Sequence, residues 1–211
     1  MTAPQSIVVL GSTGSIGTSC LDVIRHHPQR MRLVGATANR SFNRLAEQAR
    51  EFRPSWILLS DSATAPSEPV PPLPQETVFH RGDEQLDQLI RSADVNTVVS
   101  AVVGAAGLKS TWSAVDSGKR VALANKESLI VAGSLMTARA AETGAELLPV
   151  DSEHSAIFQA MQAGRTSDLR RIILTASGGP FRGYTREQLK AVTPDMALRH
   201  PTSGNGAKDY H

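Results

Sequence analysis

The chain has 211 residues, of which 40% are hydrophobic and 20% charged, and its formal net charge is +2. This composition is typical of a soluble globular protein, and the small, scattered charge argues against nucleic acid as the main partner. No segment approaches the roughly 20 apolar residues of a membrane span. The single cysteine, Cys20, fits a reducing compartment, and we expect it to be a buried, inert thiol. The apolar run Ile7–Leu10 is too short for a signal peptide, so we expect a cytoplasmic protein with no membrane partner.

Apolar runs typical of strands alternate with amphipathic segments typical of helices. The predicted strands are Ser6–Leu10, Leu33–Thr37, Trp56–Leu59, Thr97–Val102, Arg120–Ala124, Glu146–Val150 and Arg171–Thr175. The predicted helices are Thr18–His26, Phe42–Phe52, Glu84–Ser92, Leu108–Ser117 and Glu127–Glu142. Several strands are continuous runs of Val, Ile and Leu, the pattern of strands covered on both faces. The alternation predicts an α/β fold with a Rossmann-like, doubly wound parallel sheet.

Two features of the chain interrupt this alternation. The segment Ser62–Gln75 carries five prolines and is typical of an extended surface loop. The kind of motif changes near Val150, which predicts one domain over residues 1–150 and the start of a second α/β domain over residues 151–211.

Three glycines lie where the first helix should begin. Gly11, Gly14 and Gly17 stand three residues apart after an apolar strand. In a phosphate-binding βα turn, the first glycine permits the tight turn, the second lets a pyrophosphate approach the backbone, and the third lets the helix pack closely on the strand. The backbone N–H groups of residues 13–16 would then face the phosphates at the positive end of the helix. The alternative is a glycine-rich turn with no ligand, but the strand–turn–helix context favours a dinucleotide.

The second predicted strand indicates which dinucleotide. Sites for NAD place Asp or Glu at the end of this strand, where the carboxylate binds the ribose 2′-hydroxyl. Here the strand is followed by Asn39-Arg40-Ser41, and the only acid between Gly11 and Glu47 is Asp22, in the predicted first helix. A guanidinium and a hydroxyl suit a 2′-phosphate, so the sequence predicts NADPH rather than NADH. The alternative for Arg40 is a solvated loop charge.

Polar residues also follow the strand at Arg120–Ala124. Asn125, Lys126 and Glu127 lie at its carboxyl end, where ligands bind in open α/β sheets. The alternative is a helix N-terminus, with Asn125 as the cap and Glu127 in the first turn. That alternative gives Lys126 no role.

A pair of carboxylates follows the next strand. In an extended backbone Asp151 and Glu153 point the same way and converge on one point, and such oxygen ligands suit Mg²⁺ or Mn²⁺. Acids in the first turn of a helix are the equally weighted alternative. The later stretch Ser177-Gly178-Gly179 offers a hydroxyl and backbone groups to a phosphate or sugar oxygen, although an ordinary turn also explains it.

Taken together, these motifs resemble the 1-deoxy-D-xylulose 5-phosphate reductoisomerase family. The segments GSTGSIG, ANKES, PVDSEHSAIFQ, LTASGGPF and ALRHP occur in that family's order, from Ile7 to about Thr202. The resemblance implies an enzyme that rearranges 1-deoxy-D-xylulose 5-phosphate and reduces the product with NADPH to 2-C-methyl-D-erythritol 4-phosphate, in non-mevalonate isoprenoid synthesis. It implies an NADPH-binding domain over 1–150, a metal and substrate domain from 151, a sugar phosphate as ligand, and a homodimer for the full-length form.

The resemblance also implies roles for individual residues. The implied NADPH contacts are Thr13, Gly14, Ser15, Ile16, Asn39, Arg40, Ser41, Asn125, Glu127 and Gly206. The implied substrate contacts are Lys126, Ser152, Glu153, Ser177 and His200, with Lys126 and Glu153 catalytic. The implied ligands of the divalent metal, Mn²⁺ or Mg²⁺ with Co²⁺ as a further candidate, are Asp151 and Glu153.

The resemblance stops shortly after His200-Pro201. The family continues with a loop tryptophan, phosphate-binding residues and a third metal carboxylate, whereas this chain reads TSGNGAKDYH. A family-like Gly-Gln-Lys-Ile-Thr-Ile translated one base out of phase gives Ala-Lys-Asp-Tyr-His, the observed Ala207–His211, so we hypothesise a frameshifted, truncated product with impaired activity. A deliberate fragment or a divergent tail is the alternative. Two other functions stay open: an ordinary NADP-dependent dehydrogenase without a metal, and an inactive NADPH-binding remnant.

Overall fold

The computed structural model describes residues 3–61, 63, 72–175 and 179–199. By its internal contacts the chain divides into two compact units, Met1–Ser155 and Ala156–His211. The division falls just after the carboxylate pair, whereas the sequence predicts a second domain that begins at Asp151. Most of the proline-rich segment Ser62–Gln75 lies outside the described residues.

The first unit is built on a parallel sheet of seven strands. They are β1 (Gln5–Leu10), β2 (Met31–Ala38), β3 (Trp56–Leu59), β4 (Val78–Arg81), β5 (Thr97–Ser100), β6 (Arg120–Leu123) and β7 (Glu146–Pro149). The order across the sheet is β4-β3-β2-β1-β5-β6-β7, and every neighbouring pair is parallel. The order reverses direction between β1 and β5, the point at which doubly wound sheets bind their ligands. The predicted doubly wound α/β fold is confirmed.

Helices connect these strands. They are α1 (Ser15–His26), α2 (Phe42–Phe52), α3 (Leu86–Arg91), α4 (Leu108–Asp116), α5 (Lys126–Thr143) and α6 (Ser152–Met161), which begins in the first unit. The five helices predicted from the sequence match α1 to α5, with ends that differ by at most three residues. None of the helices in the described part of the chain is long and apolar enough to cross a membrane.

The core lies on both faces of the sheet. Every residue of β3 and of β5 is buried, and so are five of the six residues of β1. One cluster of buried side chains packs α1 and α2 against the sheet, and the other packs α3, α4 and α5. Cys20 packs against the first cluster, and its burial raises the pKa of the thiol to about 11, in agreement with an inert thiol.

The second unit consists of short elements where it is described. After the end of α6 and two 3-10 helices, Thr166–Asp168 and Gly179–Phe181, come two short α-helices. They are α7 (Arg186–Leu189), which Thr185 and Gln188 begin with a reciprocal capping box, and α8 (Pro194–Leu198), which Thr193 caps. The prediction of a strand at Arg171–Thr175 is wrong: these residues form no regular element, and Ile172–Leu174 are exposed. A strand needs a neighbour for its backbone N–H and C=O groups, and no described segment pairs with this one.

Candidate functional site

The turn between β1 and α1 is fixed by contacts from β2 and α2. The backbone N–H of Gly11 donates to Oγ1 of Thr37 at 3.0 Å, and that of Ser12 donates to the Thr37 carbonyl at 2.9 Å. Ser12 is fully buried, and its hydroxyl donates to Oε1 of Gln48 at 2.6 Å. Nε2 of Gln48 in turn donates to the Ser12 carbonyl at 2.9 Å. The turn is therefore pre-formed before any ligand binds.

Two of the three glycines are required by the fold. Gly11 has φ +78°, and a Cβ there would lie 2.9 Å from the carbonyl oxygen of Ala101. A Cβ on Gly17 would lie 2.6 Å from Cα of Ser12, because α1 packs directly against the turn. Gly14 differs from both: its φ of −78° suits any residue, and its nearest neighbour would be 3.4 Å away. The fold does not explain Gly14, whereas a phosphate that approaches the backbone there does.

The first turn of α1 is uncapped. Gly14 is the N-cap residue, and among the described residues no side chain caps the helix. The backbone N–H groups at the start of a helix have no partner within the helix, so those of Ser15 and Ile16 point out of its positive end. Ile16 is 42% exposed, which leaves this end accessible. The arrangement is a ready anion site of the kind that binds a pyrophosphate.

A cavity of about 400 Å³ opens above this turn. Its walls come from the carboxyl ends of the central strands and the loops that follow them. They include Gly11, Thr13, Gly14, Thr37, Ala38, Asn39, Ser60, Asp83, Leu86, Ala101, Val102, Val103, Ala106 and Ser110. The cavity spans the reversal point between β1 and β5, so it occupies the position of a dinucleotide in this class of fold.

The loop after β2 places a cation beside this cavity. Asn39 lines the cavity, and the next residue, Arg40, has a side chain that is 75% exposed. Nε of Arg40 donates to Oδ2 of Asp61 at 2.7 Å. Ser41 is exposed at the N-cap of α2, where its side chain accepts no capping hydrogen bond. These polar groups fit a 2′-phosphate, and their roles as NADPH contacts remain predictions.

Asn125 has a structural role that the sequence left open. It is only 2% exposed, and its Oδ1 accepts hydrogen bonds from the backbone N–H and the hydroxyl of Ser128, at 2.8 and 2.5 Å. Its Nδ2 donates to the carbonyl oxygens of Val102 and Gly104, the latter at 2.8 Å. The helix-cap alternative is therefore confirmed for this residue. Asn125 also ties α5 to a loop that lines the cavity, and direct contact with NADPH remains a prediction.

Lys126 and Asp151 come together at the carboxyl ends of β6 and β7. The side chain of Lys126 is 67% exposed, and its Nζ lies 3.9 Å from Oδ2 of Asp151. Oδ1 of Asp151 is 2.9 Å from Nδ1 of His154, and this hydrogen bond is the main reason that the pKa of the Asp151 carboxyl is lowered. Glu127 is partly buried in the first turn of α5, where its charge suits the helix end.

The prediction of extended backbone through Asp151–Glu153 is wrong. Helix α6 begins at Ser152, which puts Glu153 in its first turn, and the backbone N–H of His154 also hydrogen-bonds the Asp151 carboxyl. The helix-terminus alternative is thus what the structure contains, and Asp151 satisfies one of the free N–H groups that an α-helix exposes at its start. Oε2 of Glu153 accepts a hydrogen bond from the hydroxyl of Ser152 at 2.9 Å.

These two carboxylates fit a divalent cation by their chemistry. Mg²⁺ is held by one or two carboxylates and completes its octahedron with water and substrate oxygens, and Asp151 and Glu153 supply that number. Within the described residues no group of three or more His, Cys, Asp and Glu side chains is arranged to hold a metal ion. The metal-binding role of the pair remains a prediction.

Three residues that the resemblance implies lie outside the described residues: Ser177, His200 and Gly206. Conversely, the structure brings to the cavity residues that the sequence did not single out. Ser60 and Asp83 follow β3 and β4, and Ala101–Val103 follow β5. The rule that ligands bind at the reversal point of a doubly wound sheet would have indicated the segment after β5.

The fold and the glycine turn define the first unit as a Rossmann-like domain with a candidate dinucleotide site. Comparison with family models then identifies the family. The model of 1-deoxy-D-xylulose 5-phosphate reductoisomerase matches residues 7–133, and the model of the reductoisomerase C-terminal domain matches residues 147–209. The chain belongs to the 1-deoxy-D-xylulose 5-phosphate reductoisomerase family, and the resemblance inferred from the motifs is confirmed.

Individual relatives agree with this assignment. The chain is 48% identical over 209 residues to a 1-deoxy-D-xylulose 5-phosphate reductoisomerase of Xanthomonas axonopodis pv. citri, covering 98% of this chain and 53% of that protein. The Zymomonas mobilis reductoisomerase solved in complex with NADPH is 39% identical, with a TM-score of 0.77 over 92% of this chain and 51% of that one. A DOX-P reductoisomerase solved with NADPH, fosmidomycin and magnesium is 40% identical, with a TM-score of 0.71 over 94% and 51%. The chain thus spans about half the length of the relatives it matches.

Proposed function

We propose that the first unit of this chain is the NADPH-binding domain of a 1-deoxy-D-xylulose 5-phosphate reductoisomerase. The observation that carries the proposal is the uncapped first turn of α1 behind Gly14, which opens into a cavity of about 400 Å³ at the reversal point of the sheet. The fold has no other use for a glycine at position 14, since a Cβ there meets only an ordinary contact at 3.4 Å. A relative of the same family, from Zymomonas mobilis, is solved with NADPH.

Within this domain, the pyrophosphate would lie against the backbone N–H groups of residues 13–16. The positive end of α1 favours the phosphate charge. Asn39, Arg40 and Ser41 would surround the 2′-phosphate, for which a charge-assisted hydrogen bond from a guanidinium is well suited. Asn125 holds the 102–104 segment in place through its two donated hydrogen bonds, and so shapes the wall of the cavity.

The proposed reaction converts 1-deoxy-D-xylulose 5-phosphate to 2-C-methyl-D-erythritol 4-phosphate. When bound, NADPH would supply the hydride that reduces the rearranged aldehyde, and the backbone N–H groups of residues 13–16 with Asn39, Arg40 and Ser41 would hold the cofactor. A divalent cation, Mg²⁺ or Mn²⁺ with Co²⁺ as a further candidate, would act as a Lewis acid on the substrate's carbonyl and hydroxyl oxygens. Asp151 and Glu153 would hold that cation, and Lys126, with its Nζ 3.9 Å from Asp151, would place a positive charge beside the same oxygens.

The substrate contacts, the assembly and the location belong to the same proposal. Ser152 and Glu153 at the start of α6, together with Ser177 and His200, would bind the sugar phosphate. We further propose that Glu127 and Gly206 contact NADPH, that the full-length form is a homodimer, and that it is cytoplasmic, in keeping with a single cysteine. Residues 1–150 would form the cofactor domain, and the metal and substrate domain would begin at Asp151.

An NADPH-oxidation assay tests the proposed reaction. The chain is incubated with NADPH, 1-deoxy-D-xylulose 5-phosphate and either Mg²⁺ or Mn²⁺, beside the full-length Xanthomonas relative as the positive control. We expect NADPH to bind to this chain, and turnover to be low beside the relative, because the chain spans about half of that protein. Any turnover should require both the sugar phosphate and the cation, and should be lost in Asp151→Asn.

The same assay separates the alternatives. Oxidation of NADPH that persists without a divalent cation would favour an ordinary NADP-dependent dehydrogenase and contradict the proposal. NADPH binding without any turnover would support the cofactor-domain assignment but leave this chain as an inactive remnant of the enzyme.

A further inference from the structure

An ion pair joins the loops after two neighbouring strands at the edge of the cavity. Asp61 follows β3 and Arg40 follows β2, and Nε of Arg40 donates to Oδ2 of Asp61 at 2.7 Å. The residues immediately before them, Ser60 and Asn39, line the cavity. The ion pair therefore lies next to the part of the wall where the sequence predicts recognition of a 2′-phosphate.

Asp61 is held more firmly than the arginine that it contacts. Its backbone N–H donates to the carbonyl of Asn39 at 3.0 Å, which continues the β2–β3 ladder past the ends of the strands. Its Oδ1 accepts the backbone N–H of Ala63 at 2.9 Å. Its side chain is 21% exposed, against 75% for the side chain of Arg40. A carboxylate held by the backbone thus contacts a largely exposed guanidinium.

We propose that Asp61 is a positioning residue for NADPH selectivity, acting through Arg40. This inference rests on the proposed function, since it assumes that NADPH occupies the cavity. Asp61 engages Nε, and the guanidinium is largely exposed, so its two Nη groups can face a phosphate, which a guanidinium can bind in a bidentate manner. A long side chain that is already held in place loses less rotamer freedom when the ligand binds.

The charge of Asp61 opposes this effect, and the geometry decides between the two. A carboxylate near a phosphate repels it, but Oδ2 is paired with the guanidinium and Oδ1 accepts a backbone N–H, so both oxygens of Asp61 are engaged. The Arg40 guanidinium also places a positive charge directly against this carboxylate, which offsets part of the repulsion. We expect the gain from orienting Arg40 to outweigh what remains.

The test is a set of NADPH and NADH titrations on the full 211-residue chain. Asp61→Ala should weaken NADPH about tenfold, the scale of the rotamer freedom of one long side chain, and leave NADH unchanged. Asp61→Asn keeps an acceptor oxygen for Nε and should lose less. Asp94→Ala is the matched control, because it removes the same charge from an exposed position. In an Arg40→Ala background, Asp61→Ala should no longer weaken NADPH, because no guanidinium is left to orient.

Each result has a definite meaning. Unchanged or tighter NADPH binding in Asp61→Ala would overturn the inference, and so would equal losses for NADPH and NADH, which indicate a damaged loop. A loss of NADPH affinity in Asp61→Ala that persists without Arg40 would also overturn it. If the unmodified chain bound neither cofactor, the proposed function itself would fail, an outcome distinct from a chain that prefers NADPH but ignores the substitution at Asp61.

Discussion

Gly14 and Gly17 should respond in opposite ways to the same substitution. Gly17→Ala places a Cβ 2.6 Å from Cα of Ser12, so α1 must move away from a turn that β2 and α2 hold in place. Overpacking of this kind costs about 1–3 kcal/mol, from which the better helix propensity of Ala recovers about 1 kcal/mol. Gly14→Ala has only an ordinary contact at 3.4 Å and an allowed φ of −78°, so its cost is limited to about 0.5–1 kcal/mol for a poorer N-cap residue.

Gly14→Ala, the substitution that costs less stability, should cost more NADPH affinity. The added methyl at position 14 lies where a pyrophosphate would approach the backbone, and we expect NADPH to weaken at least tenfold, or about 1.4 kcal/mol, with a larger loss in Gly14→Val. Urea denaturation measures the first effect, and NADPH titration of the folded variants measures the second. If Gly14→Ala binds NADPH as well as the unmodified chain, the backbone at Gly14 does not contact the cofactor and the assignment of the turn is wrong.

Three further predictions concern the frame around the site. Asn125→Ala should lower the free energy of unfolding by about 2–4 kcal/mol in urea, since it removes a helix cap and leaves two carbonyl oxygens without their donor. Hydrogen bonds from Arg91 and then Arg139 lower the pKa of Asp116, so this carboxylate stabilises the fold above about pH 4 and the contribution is lost as the pH falls further. In Asp116→Asn, the free energy of unfolding measured against pH should therefore fall less steeply in acid. Burial raises the pKa of Cys20 from about 9 to about 11, so the neutral thiol stabilises the fold below about pH 9 and this contribution is lost as the pH rises toward 11. In Cys20→Ala, the melting temperature from thermal denaturation should therefore fall less steeply as the pH rises.

The sheet was predictable because its central strands are buried on both faces. A continuous apolar run such as that of β3 has few other stable placements in a chain of this size. The same argument failed at one polar segment and at one apolar segment. Strand β4 was missed because Val78–Arg81 is short and half of its residues are basic, while Arg171–Thr175 is apolar enough for a strand but has no described partner. Whether a segment forms a strand depends on a neighbouring strand elsewhere in the chain, and the residue pattern of the segment itself does not show that neighbour.

In the candidate site too, features set by nearby residues were predictable, and features set by residues far apart in the chain were not. The glycine turn was predictable because the positive φ of Gly11 belongs to the turn itself and Gly17 packs on Ser12, five residues away. The ion pair between Arg40 and Asp61 was not, because it depends on the adjacency of β2 and β3. At Asp151–Glu153 both conformations were consistent with the residue types, and only the start of α6 at Ser152 decides between them.

We expect this chain to bind NADPH in the cavity above the turn between β1 and α1. Calorimetric titration of the 211-residue chain with NADPH and with NADH, repeated on Gly14→Val, measures this binding. NADPH should bind saturably and more tightly than NADH, and its binding should be abolished in Gly14→Val while the fold is retained. Equal binding of the two cofactors, or NADPH binding that survives Gly14→Val, would contradict it.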